Sequence, residues 1–98
     1  MTHRLIIQAD AESEFIESYR WYEEQSTGLG EEFLRCVDAC LLSIQRNPKQ
    51  YAIVHKKVRR ALTRRFPFGV FYLVERDAVV VLAIFHLSRD PKQWRGRS

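Results

Sequence analysis

Read for its apolar positions alone, the chain changes period between its halves. Leu5 to Ile7 opens it as a short alternating run, Leu5 and Ile7 on one face and Ile6 on the other, and His3 to Gln8 is expected to form a first strand. From there Ala11, Phe15, Tyr19 and Tyr22 recur at i, i+4, i+8 and i+11, the stripe of an amphipathic helix. Asp10 stands where an N-cap would, and Glu12 and Glu14 place negative charge in the first turn, where the helix dipole favours it. Ser26-Thr27-Gly28 interrupts the stripe. A second one, Leu29, Phe33, Cys36, Val37, Cys40, Leu41 and Ile44, follows with Glu31 and Glu32 in its first turn and Asn47-Pro48 as its stop. So short a turn between the two implies an antiparallel helical hairpin.

Beyond a loop from Lys49 to about Lys57 the period becomes that of strands. Val58 to Arg65 alternates only loosely, leaving its buried face undecided, and Pro67 marks a break or bulge. Phe68 to Glu75 and Ala78 to His86 read as two strands joined by a tight turn at Arg76-Asp77. Both are apolar on both faces, as for central strands covered by helices on one side and by something else on the other. Leu87 to Ser98 is a polar, basic tail anchored by Trp94. The order β-α-α-β-β-β gives an α+β fold, the helical hairpin packed on one face of a mostly antiparallel sheet. Residues 1–98 are too few for a second core, so one domain is expected.

Composition narrows the classes. No apolar run approaches the ~20 residues that span a bilayer, so no membrane partner is expected. The first ten residues hold too short an apolar stretch for a signal peptide, which makes the cytoplasm the expected compartment. Cys36 and Cys40 lie one helical turn apart, where a disulfide would be strained; buried free thiols in a reducing compartment fit them better. A zinc site drawing on His3, His55 and His86 lacks paired ligand spacing, and neither metal nor cofactor is expected. The net charge of +4 hides a polarity: residues 1–54 hold five Lys/Arg against nine Asp/Glu, residues 55–98 eleven against three. That polarity favours a basic functional face over a uniformly solvated surface.

The basic set is Lys56, Lys57, Arg59, Arg60, Arg64, Arg65, Arg89, Arg95 and Arg97. Guanidinium groups hold phosphate oxygens through paired hydrogen bonds and keep their charge in any environment, so phosphate contact is one reading. Solvation of edge strands is the other, and an acidic protein is as fit a partner as nucleic acid. His86 ends the last strand three residues before Arg89; an acid–base role needs a partner group, and a structural histidine bonding backbone or packing on Trp94 is the alternative. Tyr19, Trp21 and Tyr22 could stack on bases, though the spacing of Tyr19 and Tyr22 suits a core. Gly28-Leu29-Gly30 could hold a phosphate on free amides, or be a plain turn. There is no nucleophile motif, carboxylate pair or dinucleotide fingerprint, so any enzymatic chemistry would come from cations.

These segments, in this order, resemble the RelE/ParE superfamily of toxins from bacterial type II toxin–antitoxin pairs. The resemblance spans nearly the whole chain: Ala9-Asp10-Ala11 at the helix start, Tyr19-x-x-Tyr22, Pro48, Val58-Arg59-Arg60, Phe66-Pro67-Phe68 leading into Val70-Phe71-Tyr72, and His86-x-x-Arg89-Asp90-Pro91 with Trp94. The wording is most similar to the ParE-like, plasmid-stabilisation branch. That branch implies a poison of DNA gyrase that stalls replication and makes no bonds of its own. Its target-binding surface here would be Arg59, Arg60, Arg64, Arg65, Arg89, Trp94, Arg95 and Arg97. The RelE-like branch implies ribosome-dependent cleavage of messenger RNA, with Arg60, Arg89 and His86 as candidate catalytic groups. There the chain departs from the pattern: Gly69 stands for a central-strand arginine, Leu62 for a lysine, and Arg95 roughly for a tyrosine. An arginine cannot serve as a general acid near neutrality. Either branch implies a small cognate antitoxin laid across sheet and helices as the protein partner. A nucleic-acid or protein-binding module without toxicity is the remaining alternative.

Overall fold

In the computed structural model, which describes residues 3–97, a five-stranded sheet carries a helical hairpin on one face and the C-terminal segment on the other. The elements run β1 (Arg4–Ile7), α1 (Ala9–Gln25), α2 (Leu29–Arg46), a 3-10 turn (Pro48–Gln50), β2 (Ile53–His55), β3 (Val58–Leu62), β4 (Phe68–Glu75), β5 (Ala78–His86) and α3 (Lys92–Arg95). Strands are ordered β1-β5-β4-β3-β2; β1 is parallel to β5 and every other pair is antiparallel. This is the expected α+β architecture. Among the described residues no helix is long and apolar enough to cross a membrane, and no group of His, Cys, Asp and Glu is placed to hold a metal.

The two helical stripes meet the sheet as their spacing requires. Phe33, Val37, Cys40, Leu41 and Ile44 of α2 and Ala11 of α1 pack on Ala61, Phe68, Val70, Tyr72, Val79, Val81 and Ile84. Phe33 sits at the centre of this layer, its ring stacked on Phe15 at 5.6 Å and edge-on to Phe68 at 4.8 Å. Tyr19 and Tyr22 are half-buried against the same cluster.

Three details differ from the sequence reading. The loop after α2 contains an additional strand, β2, paired to β3 through Ile53 with Arg59 and His55 with Val58. Three residues, none fully buried, leave no periodic signal; pairing alone makes them a strand. Helix α1 begins earlier than Asp10 would set it, with Gln8 as the N-cap. The Gln8 amide donates to the Val81 carbonyl at 3.0 Å, so strand pairing fixes where the helix can start and leaves Asp10 inside the first turn. The tail, of which Ser98 lies outside the described residues, holds the single turn α3.

The loose alternation of β3 has a simple cause, since neighbours on a strand face opposite ways. Ala61 joins the helix-side core, and Val58 a second cluster with Phe71, Leu82, Ala83, Phe85 and Trp94 on the far face. A bulge strengthens that second cluster. Phe71 pairs with Ala83 but Tyr72 with Val81, so Leu82 is the extra residue, and both Leu82 and Ala83 belong to the far face. Trp94 anchors the tail as expected, its ring stacked on Phe71 at 4.3 Å.

Candidate functional site

On the far face the strand ends and the C-terminal turn enclose a cup of about 240 Å³. Phe71, Phe85 and Trp94 form an aromatic floor, and Arg60, His86, Arg89 and Arg95 stand around it with Val54, Leu87 and Pro91. Arg60 reaches it because it lies across from Phe71 on β4. The Arg89 guanidinium lies 6.0 Å over the Phe85 ring and that of Arg95 5.8 Å over Trp94. A cation within about 6 Å of a ring centroid is attracted by the ring quadrupole. The cup therefore combines cationic groups with an apolar base, a composition suited to phosphate oxygens or to carboxylates of an acidic protein.

His86 forms the wall and is held by its own turn. Its Nδ1 accepts from the Ser88 amide at 3.1 Å and lies 2.7 Å from Ser88 Oγ. A backbone amide can only donate, so Nδ1 is unprotonated and the neutral ring carries its hydrogen on Nε2. In this arrangement the basic nitrogen, Nδ1, is occupied by Ser88, and Nε2–H is the ring's remaining hydrogen-bonding group. It packs on Phe68 at 5.2 Å; the histidine that meets Trp94 is His55, edge-on at 5.8 Å, which corrects the expected contact of His86 with Trp94.

The eight residues singled out in the sequence as target-binding are distributed over several places. Arg60, Arg89 and Arg95 rim the cup, and Trp94 is 3% exposed as its floor. Arg59 points to the helix side and donates to the carbonyls of Lys49 and Tyr51, at 3.2 and 2.7 Å. Arg64 and Arg65 sit at the β3–β4 turn, Arg64 exposed, Arg65 within 3.3 Å of Glu32 and over the Phe66 ring. Arg97 is at the edge of β5, with its guanidinium engaged by Glu14, Asp10 and the Leu82 carbonyl.

Gly69 has a local reason to be glycine. A Cβ there would lie 3.0 Å from Phe71 Cε1 and 3.2 Å from Arg60 Cγ, so the missing side chain makes room for the floor and for one rim residue. The Gly28 and Gly30 amides are not open to a phosphate. Both donate to the Glu23 carboxylate at 2.9 Å, which makes this segment a capped turn.

A larger groove, about 570 Å³, runs between α1 and the end of β5. Glu14, Glu17, Ser18, Trp21 and Tyr22 form its helical wall, and Phe68, Ile84, His86, Ser88 and Arg89 complete it. The sequence reading did not locate it. The available signal was Trp21, a large aromatic outside the core stripe, which is 56% exposed.

Residues 5–91 match the family model described as the ParE toxin of type II toxin-antitoxin system, parDE. Among solved structures, a chain of the chromosomal ParDE TA system from P. aeruginosa has the same fold, with a TM-score of 0.74 at 18% identity, covering 89% of this chain and 98% of that one. No curated protein matches in sequence.

Proposed function

The chain belongs to the ParE toxin family of type II toxin–antitoxin systems, and from that premise we propose that it arrests growth by engaging DNA gyrase through the cationic cup, acting as one cytoplasmic domain. The observation that carries the reading is the cup itself: guanidinium groups around an aromatic floor, with one imidazole whose Nδ1 is occupied by the Ser88 amide. Cleavage of RNA would need a group to deprotonate the 2′-hydroxyl and another to protonate the leaving oxygen. Guanidinium groups do not exchange protons as general acids or bases near neutrality, and the Nδ1 of His86 is already occupied by the Ser88 amide. A binding surface needs none of that chemistry. Cations on an aromatic base fit the carboxylates of an acidic protein or the backbone of DNA held by one.

A cognate antitoxin is the second partner in this proposal. The groove beside α1 suits it: it is large and carries the exposed Trp21, with Glu14 and Glu17 on one wall and Arg89 opposite. A protein segment with an apolar centre and a cation near Glu17 would match that lining.

Inducible expression in a bacterium without the antitoxin tests the reading, with DNA and protein synthesis followed by label incorporation. DNA synthesis is expected to fall first, and purified toxin to change supercoiling by gyrase or accumulate its cleavage complexes. Early loss of translation would instead favour messenger cleavage by the arginines. Unimpaired growth would leave a binding module without toxicity.

A further inference from the structure

Strand β5 has nine residues and β1 only four, and pairing with β1 ends at Val81. Among the described residues, the outer edge of β5 has no neighbouring strand from Leu82 onward. Two side chains from opposite ends of the chain occupy that edge. The Ile84 amide donates to Glu14 Oε1 at 3.2 Å, and Arg97 Nη1 donates to the Leu82 carbonyl at 3.0 Å. The same two residues meet fork to fork, at 3.1 and 2.9 Å, and Arg97 Nε lies 3.5 Å from Asp10. Their side chains are only 13% and 18% exposed, so this pair is screened far less than a surface ion pair.

The segment between the end of β5 and this clasp carries Trp94 and Arg95. It crosses the far face with Trp94 on Phe71, then ends against α1 at the sheet edge. Helix α3 is a single turn, in which the Trp94 and Arg95 amides both use the Pro91 carbonyl, and one turn does not hold itself together. Among the contacts that tie it to the rest of the fold are those of Trp94, stacked on Phe71 and edge-on to His55, and, at its end, the Arg97 fork.

We propose that Arg97 is a positioning residue: clasped by Glu14, it fixes the C-terminal segment so that Trp94 floors and Arg95 rims the cup. Its contribution to target binding is then indirect, through those two residues. What the cup binds rests on the toxin reading; the clasp does not.

Amide hydrogen exchange on the full chain tests the clasp without reference to function. Arg97→Ala is expected to speed exchange at the Trp94 and Arg95 amides by about tenfold, with α1, α2 and β4 unchanged. Arg97→Lys keeps the charge but not the fork, and should fall between. Glu14→Gln leaves an oxygen for the Ile84 amide but removes the charge and half of the fork, and should also fall between. Unchanged exchange in both Arg97→Ala and Glu14→Gln overturns the clasp. Growth arrest is the second readout: Arg97→Ala should weaken it, and Arg97→Lys should weaken it less. A loosened segment with undiminished arrest overturns the positioning role. If the unmodified chain causes no arrest, the toxin reading fails, and exchange still decides the clasp.

Discussion

Phe71 has Trp94 stacked on it and Arg60 across from it on β3, and a Cβ on Gly69 would approach its ring to 3.0 Å. An arginine at Gly69, which would complete more of the RNA-cleaving pattern, therefore displaces the cup's floor before it can contribute charge. Gly69→Arg is expected to cost about 1–3 kcal/mol through overpacking and to gain no cleavage of translated messages, as thermal unfolding and a messenger-degradation assay would register. Elsewhere in the core, burial pushes the Cys40 thiol from 9.0 up to about 11 and, as the first cause, the Tyr72 phenol from 10.0 up to about 12. Both groups keep their protons in the folded chain at pH values where the unfolded chain loses them. Their contribution is present below pH about 9 and lost as pH rises through about 11 to 12. Denaturant titrations should show stability falling over that window, and less steeply in Cys40→Ala. Neither this nor the fate of the arginines was fully legible in the sequence. The strand period separates Arg59 from Arg60, but which of them meets the helices depends on the register of β3. Arg97 reads as tail charge until the chain brings it to Glu14, 83 residues away.

The helical hairpin was legible because each stripe holds its period over several turns, and its connection is held by specific bonds. Gly28 adopts φ 91°, a left-handed conformation that costs glycine little, and Glu23 takes the amides of Gly28 and Gly30. Glu23→Ala leaves these donors without their acceptor and should destabilise the fold by about 1–2 kcal/mol, corresponding to a Tm drop of about 4–16 °C for a chain of this size. Differential scanning calorimetry checks this. Gly28→Ala, strained for a different reason, should also lower Tm while leaving the Glu23 bonds possible. The elements missed by pattern were those that do not exist locally. Strand β2 is three residues long and needs β3 to define it; α3 needs Trp94 docked on the far face; and the start of α1 is set by the Gln8 amide in the sheet. Each is made by tertiary pairing, which a single-residue period does not carry.

At the scale of the whole molecule, the charge polarity of the sequence becomes a spatial one because the first half of the chain is mainly helical layer and the second half mainly sheet. The acidic half supplies Glu14 and Glu17 to the groove, and the basic half supplies Arg60, Arg89 and Arg95 to the cup. Among the described residues the two cavities share only His86 and Arg89 as wall, so toxicity and neutralisation, as proposed, should be separable by substitutions that avoid those residues. Arg60→Ala combined with Arg95→Ala removes cationic rim and is expected to weaken growth arrest, while the variant still binds its antitoxin. If gyrase is the target, as proposed, binding of the purified chain to the gyrase–DNA complex should also lose part of its salt dependence, the slope falling by about one for each phosphate contact removed. Trp21→Ala combined with Glu17→Ala changes only the groove; it should arrest growth as the unmodified chain does, yet resist rescue by co-expressed antitoxin. Both substitutions are at exposed helical positions and should leave the fold intact. If the groove variant is rescued as readily as the unmodified chain, the antitoxin docks elsewhere. If the cup variant loses antitoxin binding together with toxicity, one surface serves both partners and neutralisation is direct occlusion of the cup.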